Sequence, residues 1–428
     1  MFRSLTSADS AGHNIAFRRE AIRAAGLRFA EGALPGSNTT SLLFGKFREI
    51  HITMRWIHRS IVTLWLALTA PAMSAPSAPA SPAHIEWDRQ TLTLVAPGGG
   101  YARMIRLRNG DILCGCSRQG KIYVRTSRDN GKTWADEALV CDSPFGAATN
   151  AELLQLQNGW ILLSYNERPN DGVHPYAIKT CLSRDNGRAW SAPALVYEAG
   201  AEPRSGCWEP AAIQLPTGEI QIFFANEFPR PGSKQQEISM MRSLDNAATW
   251  SAPIAVSFRP GHRDGMPAPL LLRDGKGIVI AIEDNGLVRG PFKPSIVWTS
   301  LADNWDLPAA DGASPRRWGA LDPPLPADWH AAAPYIRQMP SGETVLSFQI
   351  DHDAKGAKHE LFMAVCVGDP EAKRFGGMTY PFDLPSEQAG QWNSLFVKDD
   401  KTVTAVSGTR LNGQGGIWAI DGCLVRGQ

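Results

Sequence analysis

The sequence predicts an all-β fold, a six-bladed β-propeller whose blades are four-stranded antiparallel sheets. Two observations predict it. A short turn phrase occurs three times, at Ser127–Trp134, Ser183–Trp190 and Ser243–Trp250, with spacings of 56 and 60 residues. A second unit, two apolar strands around a tight turn, occurs six times. Repetition at a nearly constant interval is the mark of an array built from one supersecondary unit.

The repeated phrase has the composition of a tight turn. Its first copy reads Ser-Arg-Asp-Asn-Gly-Lys-Thr-Trp, and all three copies end in Trp. Asn and Gly tolerate positive φ, and Ser and Asp side chains bond backbone groups inside turns. We therefore expect each copy to join the third and fourth strands of a blade, with its indole packed against the next strand. This predicts a structural role for its carboxylates.

The six strand–turn–strand units set the number of blades. Gly or Asp in the turn between aliphatic and β-branched flanks is typical of a hairpin. The units span residues 104–113, 153–163, 212–222, 269–280, 336–346 and 394–404. The segment Ile85–Val95 precedes the first unit. We expect it to supply a strand to the last blade, which would close the ring and remove an exposed sheet edge.

A leader-like segment precedes the propeller. A basic stretch at 54–60 is followed by the apolar run 61–69 and by small residues at 70–72. This is the layout of a secretory signal peptide, too short to span a membrane permanently. The sequence therefore predicts a signal peptide and Pro/Ala linker over 54–83, and a periplasmic or extracellular six-bladed propeller over 84–428.

Because the leader begins at Met54, residues 1–53 need a separate interpretation. Our hypothesis is that translation starts at Met54 and that residues 1–53 are a mis-assigned upstream extension. The alternative is a genuine N-terminal extension, with a helix over Ile15–Ala30 as one form.

Composition excludes several classes of function. A formal charge of +1 with 20% charged residues gives no basic face for nucleic acid or for an acidic membrane. The seven cysteines form no CxxC pair, and no histidine stands near them at the spacing of zinc ligands. We expect buried thiols, with one disulfide as the alternative, and no metal or other cofactor. We also expect a monomer.

Candidate site residues gather at one end of the ring. In a four-stranded blade, the starts of the inner strands and the ends of the second strands share one face, opposite the repeated turns. Arg103, Glu152 and Tyr335 stand seven residues before the hairpin glycine, and Tyr101, Asn150 and Glu209 stand nine before it. A spacing of two keeps side chains on one face of a strand. We therefore expect both sets at the same mouth.

Carboxylates reach this mouth from several blades, because second strands end at 166–167, 226–227 and 283–284. Buried carboxylates need partners, and aromatic rings stack on sugars. The set predicts a sugar-binding funnel. The candidate substrate-binding residues are Tyr101, Arg103, Asn150, Glu152, Trp208, Glu227, Asp264, Tyr335 and Asn393. A loop cap for Asp264 and a structural pair with an arginine for Glu227 are the alternatives.

Several motifs resemble those of known carbohydrate-active proteins. The three turn phrases look like the Asp boxes of the sialidase superfamily. Five further stretches resemble glycoside hydrolase family 93, the exo-α-1,5-L-arabinanases: Cys207–Pro210, Gly265–Pro269, Ile280–Asn285, Ala333–Gln338 and Trp392–Phe396. The resemblance covers about residues 90–425.

The resemblance implies a secreted, exo-acting, retaining hydrolase of arabinan-like plant polysaccharide, with an oligo- or polysaccharide substrate. Two glutamates on neighbouring blades carry the family's reaction, and the matching positions are Glu209 and Glu283. Retaining enzymes hold their two carboxyls about 5–5.5 Å apart, and inverting enzymes about 6.5–9.5 Å. The sequence does not separate the two roles. A first working assignment makes Glu209 the nucleophile and Glu283 the acid/base.

Two other functions remain open at this stage, an exo-sialidase and a non-catalytic carbohydrate-binding propeller. True sialidases need three arginines, a tyrosine nucleophile and an aspartic acid. Arg103 matches the first arginine, but the loop Ser117–Lys121 lacks the aspartate. A protein-interaction propeller is a third class, which the mouth carboxylates and the leader disfavour.

Overall fold

The chain folds into six four-stranded antiparallel sheets arranged as a propeller, which confirms the all-β prediction. The computed structural model describes residues 83–202, 204–353, 355–384 and 388–426. The predictions for residues 1–53 and for the leader up to residue 82 lie outside the described residues. Among those that are described, no helix is long and apolar enough to cross a lipid bilayer.

Strand β1 (His84–Pro97) precedes the first blade, and blades 1 to 3 then follow along the chain. Blade 1 contains β2 (Gly100–Arg106), β3 (Ile112–Arg118), β4 (Lys121–Ser127) and β5 (Ala135–Asp142). Blade 2 contains β6 (Gly146–Gln155), β7 (Ile161–Pro169), β8 (Ala177–Ser183) and β9 (Ala194–Glu198). Blade 3 contains β10 (Cys207–Gln214), β11 (Ile220–Asn226), β12 (Glu237–Ser243) and β13 (Ile254–Ser257).

Blades 4 to 6 complete the ring. Blade 4 contains β14 (Asp264–Leu271), β15 (Gly277–Asp284), β16 (Lys293–Ser300) and β17 (Arg317–Gly319). Blade 5 contains β18 (Ala331–Gln338), β19 (Thr344–His352), β20 (Lys358–Gly368) and β21 (Gly376–Thr379). Blade 6 contains β22 (Gln391–Val397), β23 (Thr402–Leu411) and β24 (Gln414–Val425), with β1 as its fourth strand.

The ring is closed by the first strand of the propeller. β1 pairs antiparallel with β24, from His84 opposite Val425 to Pro97 opposite Gly416. The inner strand of each blade contacts the inner strands of both neighbours, including β2 against β22. The prediction that Ile85–Val95 completes the last blade is therefore confirmed. The pairing covers a backbone edge that would otherwise be open.

Each repeated phrase joins the third and fourth strands of its blade, as predicted. In the first copy, the Ser127 hydroxyl donates to Asp129 at 2.8 Å and accepts from the Gly131 amide at 2.8 Å. The Asp129 carboxylate accepts from the Thr133 amide at 2.9 Å. Hydrogen bonds from Thr133 lower the pKa of Asp129 to about 2, so the carboxylate stays an acceptor in mild acid. Equivalent bonds hold the turns after Ser183 and Ser243.

All six inner strands carry a β-bulge near their first residue. At each bulge two residues oppose one residue of the neighbouring strand, and the first of the two is not glycine yet has positive φ. These bulge residues are Tyr101, Asn150, Glu209, Met266, Ala333 and Trp392, with φ between 48° and 57°. A bulge breaks the strict alternation of side chains along a strand. The expectation that a spacing of two would keep the two candidate sets on one face is therefore wrong.

All seven cysteines are unpaired thiols; six are buried and Cys423 is exposed. The buried thiols contribute to the apolar packing between blades, for example Cys141 and Cys181 beside Leu163.

Candidate active site

An open cavity of about 470 Å³ lies at the mouth of the ring, and blades 2 to 6 supply its wall. Three carboxylates line it, those of Glu209, Glu227 and Glu283. Three guanidinium groups also line it, those of Arg168, Arg204 and Arg263. The remaining wall is largely aromatic or amide, with Tyr176, Trp208, Phe292, Gln349 and Trp392. Aromatic faces beside charged and amide groups suit a polyhydroxylated ligand.

Glu209 is the bulge residue of β10, and its φ is 48°. Both Trp208 and Glu209 line the cavity although they are consecutive, because the bulge re-aims the second side chain. The Glu209 side chain is 15% exposed. Burial raises the pKa of Glu209 to about 7; Arg168 opposes the increase and Glu283 adds to it. This carboxyl can therefore exchange a proton near neutral pH.

Glu283 lies at the end of β15, on the blade next to that of Glu209. Its Oε2 accepts a hydrogen bond from the Ala333 amide at 3.0 Å. Burial raises the pKa of Glu283, while the Ala333 hydrogen bond and Arg263 oppose the increase. Gly265 is its partner across the strand pair, and a Cβ there would lie 2.7 Å from Oε1 of Glu283. Any side chain at position 265 would therefore displace the Glu283 carboxylate from its observed position.

Arg168 holds Glu209 in place and is itself held from two sides. Its Nη2 donates to Oε1 of Glu209 at 3.2 Å and to Oδ1 of Asn150 at 2.6 Å. Its Nε donates to Oδ1 of Asn166 at 2.9 Å. The guanidinium carbon lies 4.9 Å from the centre of the Trp208 ring. Asn150, predicted to touch substrate, thus orients Arg168 and through it Glu209.

Glu227 forms the structural pair with an arginine that the sequence offered as the alternative, and it also lines the cavity. Its Oε1 lies 2.8 Å from Nη2 of Arg263, which is the structural pair. Glu227 nevertheless lines the cavity, and its Oε2 is buried without a hydrogen-bond partner. A buried carboxylate oxygen that lacks a donor is a ready acceptor for a ligand hydroxyl or a water.

Four other candidates form a buried network that does not line the cavity. Nε of Arg103 lies 3.0 Å from Oε2 of Glu152, and the Tyr335 hydroxyl donates to Oε1 of Glu152 at 2.9 Å. The Arg103 guanidinium lies 4.0 Å from the centre of the Tyr101 ring. The polar groups of Arg103, Glu152 and Tyr335 satisfy one another inside the ring, and Tyr101 contributes its aromatic face. The substrate contacts predicted for these four residues stay predictions.

Asp264 and Asn393 also lie away from the cavity wall. The two carboxylate oxygens of Asp264 accept from Arg317 at 2.6 and 2.7 Å, and Asp264 is fully buried. Oδ1 of Asn393 accepts from the Ser347 hydroxyl at 2.8 Å. Both oxygens of Asp264 therefore have an internal partner, whereas Nδ2 of Asn393 is buried without one. The substrate contacts predicted for the two residues stay predictions.

The sequence analysis missed several wall residues. Arg168 lies two positions after Asn166 in the same strand, and this proximity to a strand end was the available signal. Trp392 appeared only inside a motif, and its neighbour Asn393 was chosen instead. In the part of the chain that the structure describes, no group of three or more His, Cys, Asp or Glu residues could hold a metal ion.

No protein-family model and no curated protein matches the sequence. Solved structures do match in fold. An α-L-arabinofuranosidase of Fusarium graminearum, solved with an iminosugar inhibitor, superposes with a TM-score of 0.58 at 18% identity, covering 81% of this chain and 97% of that one. The α-L-arabinanase of Penicillium chrysogenum, solved with arabinobiose, gives 0.56 at 18% identity, covering 77% and 97%.

A protein of unknown function from Dyadobacter fermentans gives a TM-score of 0.61 at 15% identity, covering 82% of this chain and all of that one. At such identities the likeness is one of fold. The resemblance drawn from the sequence motifs is confirmed at that level: the chain is a six-bladed propeller similar in fold to solved arabinanases and arabinofuranosidases, among them an enzyme of glycoside hydrolase family 93.

Proposed function

We propose that the protein is a retaining exo-glycosidase that hydrolyses arabinan-like polysaccharide, with Glu209 and Glu283 as its two catalytic carboxyls. The observation that carries the proposal is the presence of two carboxyls with raised pKa on neighbouring blades, lining one cavity. Carboxyls tuned in this way are what acid/base glycoside hydrolysis requires. The choice of sugar follows the solved arabinofuranosidase and arabinanase of similar fold.

The raised pKa of Glu209 favours it as the acid/base, with Glu283 as the nucleophile, the reverse of the working assignment. With a pKa of about 7, Glu209 holds a proton at mildly acidic pH. The Ala333 amide bonded to Glu283 stabilises the ionised form that a nucleophile needs.

In the first step, the Glu283 carboxylate attacks the anomeric carbon while Glu209 gives its proton to the departing glycosidic oxygen. The ester that forms removes the negative charge of Glu283. Because that charge helps to raise the pKa of Glu209, its loss lowers this pKa. Glu209 is then suited to take a proton from the water that releases the sugar.

The sialidase alternative would need three arginines at the site free to bind a substrate carboxylate, and of the three that line the cavity two are engaged by carboxylates of the protein. Arg103, its candidate first arginine, is bonded to Glu152 inside the ring and does not reach the cavity wall. Arg168 and Arg263 line the cavity but are bonded to Glu209 and Glu227.

The test uses linear 1,5-arabinan, debranched arabinan and a sialoside, with analysis of the released sugars and of the anomer first formed. The proposal expects release from arabinan with retention. Glu209→Gln and Glu283→Gln should each lower turnover by several orders of magnitude while the circular dichroism spectrum stays that of the wild type. Wild-type-like turnover in either variant would remove that residue from the mechanism. Sugar binding without any hydrolysis would favour the carbohydrate-binding alternative.

Restoring activity with azide separates the two roles. In Glu283→Ala, azide takes the place of the nucleophile and should yield a glycosyl azide of inverted anomeric configuration. In Glu209→Ala, azide attacks the covalent intermediate and should yield the retained azide, best seen with an activated aryl leaving group. The opposite pairing of products would restore the working assignment.

We further propose that the protein is exported through the leader that begins at Met54. Amino-terminal sequencing of secreted material should then start near residues 73–85. A mature protein that keeps residues 1–53 would contradict this.

A further inference from the structure

Arg317 joins two buried carboxylates of blade 4. Its Nη1 and Nη2 donate to the two oxygens of Asp264 at 2.7 and 2.6 Å, in the bidentate arrangement that a planar guanidinium favours. Its Nε donates to Oδ2 of Asp284 at 3.2 Å. The Arg317 side chain is 2% exposed and both carboxylates are fully buried. One guanidinium therefore fixes two side chains that come from different strands.

The two carboxylates belong to the residue pair beside Glu283. Asp264 is the first residue of β14 and Asp284 the last of β15, and they lie opposite each other. The adjoining pair is Gly265 and Glu283, after which a bulge interrupts the register as far as Ala268. On the side of β14, the backbone at Glu283 therefore lies between a bulge and a strand end. Strand ends open more readily than strand centres, so a link between Asp264 and Asp284 restricts the position of Glu283.

The contacts of the Glu283 carboxylate depend on that position. Its Oε2 accepts a hydrogen bond from the Ala333 amide of blade 5 at 3.0 Å, and its Oε1 occupies space that a Cβ on Gly265 would need. Both contacts require that the ends of β14 and β15 keep their relative place. A misplacement of about 1 Å at a reacting group costs about a hundredfold in rate.

The cluster around Arg317 is balanced in charge. Arg259 supplies a second cation, since its Nη2 lies 3.1 Å from Oδ2 of Asp284. Two carboxylates and two guanidinium groups therefore offset one another inside the blade. Buried ion pairs give little net stability, because the cost of desolvation cancels most of their attraction. The bidentate pair does supply a definite geometry, because it fits one relative position of the two side chains.

We propose that Arg317 is a positioning residue for Glu283, an inference that rests on the proposed function of that carboxyl. By linking Asp264 to Asp284, Arg317 fixes the adjoining pair of residues and keeps the Glu283 carboxylate where it can reach the anomeric carbon. Arg317 acts through its two buried partners and not by contact with the substrate.

The test replaces Arg317 with lysine, which keeps the charge but cannot reproduce the planar fork that binds Asp264. In Arg317→Lys, kcat on arabino-oligosaccharides should fall about tenfold while KM stays within about twofold. Arg242→Lys is the matched control. Arg242 also lies between two carboxylates, 3.3 Å from Glu219 and 3.0 Å from Asp306, on the strand that leads into the third repeated turn. Both constants should stay those of the wild type in the control.

Hydrogen exchange gives a second readout, which needs no activity. The Ala333 amide is bonded to Glu283, so its exchange rate reports where the carboxylate lies. In Arg317→Lys this amide should exchange about tenfold faster relative to the amide of Ile280, which lies in the middle of β15. A general loss of stability would accelerate both amides and leave their ratio unchanged. The ratio should therefore stay constant in Arg242→Lys.

An unchanged ratio, or an unchanged kcat in an active enzyme, would overturn the positioning role and leave Arg317 as a structural partner of two carboxylates. If the wild type releases no sugar while Ala333 still responds, the proposed function fails and the positioning of the Glu283 side chain stands. Ser257→Ala is a milder change for use if the lysine variant does not fold. The Ser257 hydroxyl accepts from Arg317 at 3.1 Å and donates to Asp264 at 2.7 Å, so its loss should shift the ratio in the same direction.

Discussion

Nη2 of Arg168 lies 3.2 Å from Oε1 of Glu209, and the same guanidinium is fixed by Asn150 and Asn166. A cation in this place orients a carboxyl and lowers its pKa, although burial outweighs the second effect at Glu209. The mouth of the propeller thus holds one carboxyl under opposing influences that set its proton affinity near neutral pH.

Replacing Arg168 should shift the pH dependence of activity. Arg168→Met removes the positive charge, so the pKa of Glu209 should rise above about 7. Because the acid must be protonated in the first step, the basic limb of the kcat/KM profile should move to higher pH while maximal turnover falls. Arg184→Met is the matched control, since Arg184 stacks on Trp160 away from the cavity. An unmoved basic limb would disprove the coupling.

Glu209 should also make stability depend on pH. Its folded pKa is raised from 4.5 to about 7, so its contribution to stability is full below pH 4.5 and is lost as pH rises through 7. Glu209→Gln removes this loss and should be more stable than the wild type at pH 8, by up to about 3 kcal/mol. The two proteins should be equally stable near pH 4. Urea unfolding at the two pH values measures both differences, and a Gln variant less stable at pH 8 would contradict the assignment.

Gly265→Ala should impair catalysis without unfolding the protein. The new methyl group would lie 2.7 Å from Oε1 of Glu283, and the flexible carboxylate end is what would move. A displacement of about 1 Å at a reacting group costs about a hundredfold in rate, so kcat should fall by that order. The melting temperature should change little. Gly415→Ala is the matched control, since its Cβ would meet only the end of Arg410 at ordinary distance. Equal kcat values for the two variants would contradict the steric argument.

Asp264→Asn should destabilise the protein and leave substrate affinity alone. Asp264 and Asp284 share the buried guanidinium of Arg317, and removal of the Asp264 charge leaves Arg317 with Asp284 alone. Breaking an isolated buried pair costs about 3–5 kcal/mol, and because Arg317 keeps one carboxylate the loss should be at most about 3 kcal/mol. Denaturant unfolding measures the loss, and KM on arabino-oligosaccharides tests the absence of substrate contact. A large increase in KM with unchanged stability would restore the original interpretation of Asp264.

The fold could be predicted from the sequence because a propeller repeats one structural unit, and each repeat leaves the same pattern of residues. Turn chemistry at Asn130 and Gly131 and the six hairpins identified the blades, and Ile85–Val95 had only one free sheet edge to join. The two catalytic candidates were found because both lie at strand ends, which the topology brings to one mouth.

The errors came from the bulges. A glycine can mark a position of positive φ in a sequence, but Tyr101, Glu209 and Trp392 have positive φ without being glycine. A single sequence therefore does not show where these bulges lie. Simple alternation therefore assigned Arg103, Glu152 and Tyr335 to the cavity at the mouth, whereas Glu152 and Tyr335 line a separate cavity of about 310 Å³ and Arg103 is bonded to Glu152. The contact of Arg168 with Glu209 joins two blades, and a distance between blades is not encoded in local spacing.

The pairing of β1 with β24 has a consequence for how the protein acquires its shape. The last sheet is assembled from residues near both ends of the propeller, so synthesis must finish before that sheet has its full complement of strands. Five sheets can form while the chain is still growing, but the circle stays incomplete until the final strand arrives. A shortened chain that stops before Gln414 would lack β24. It would expose the backbone groups of β1 and β23 that pair with β24 in the complete chain.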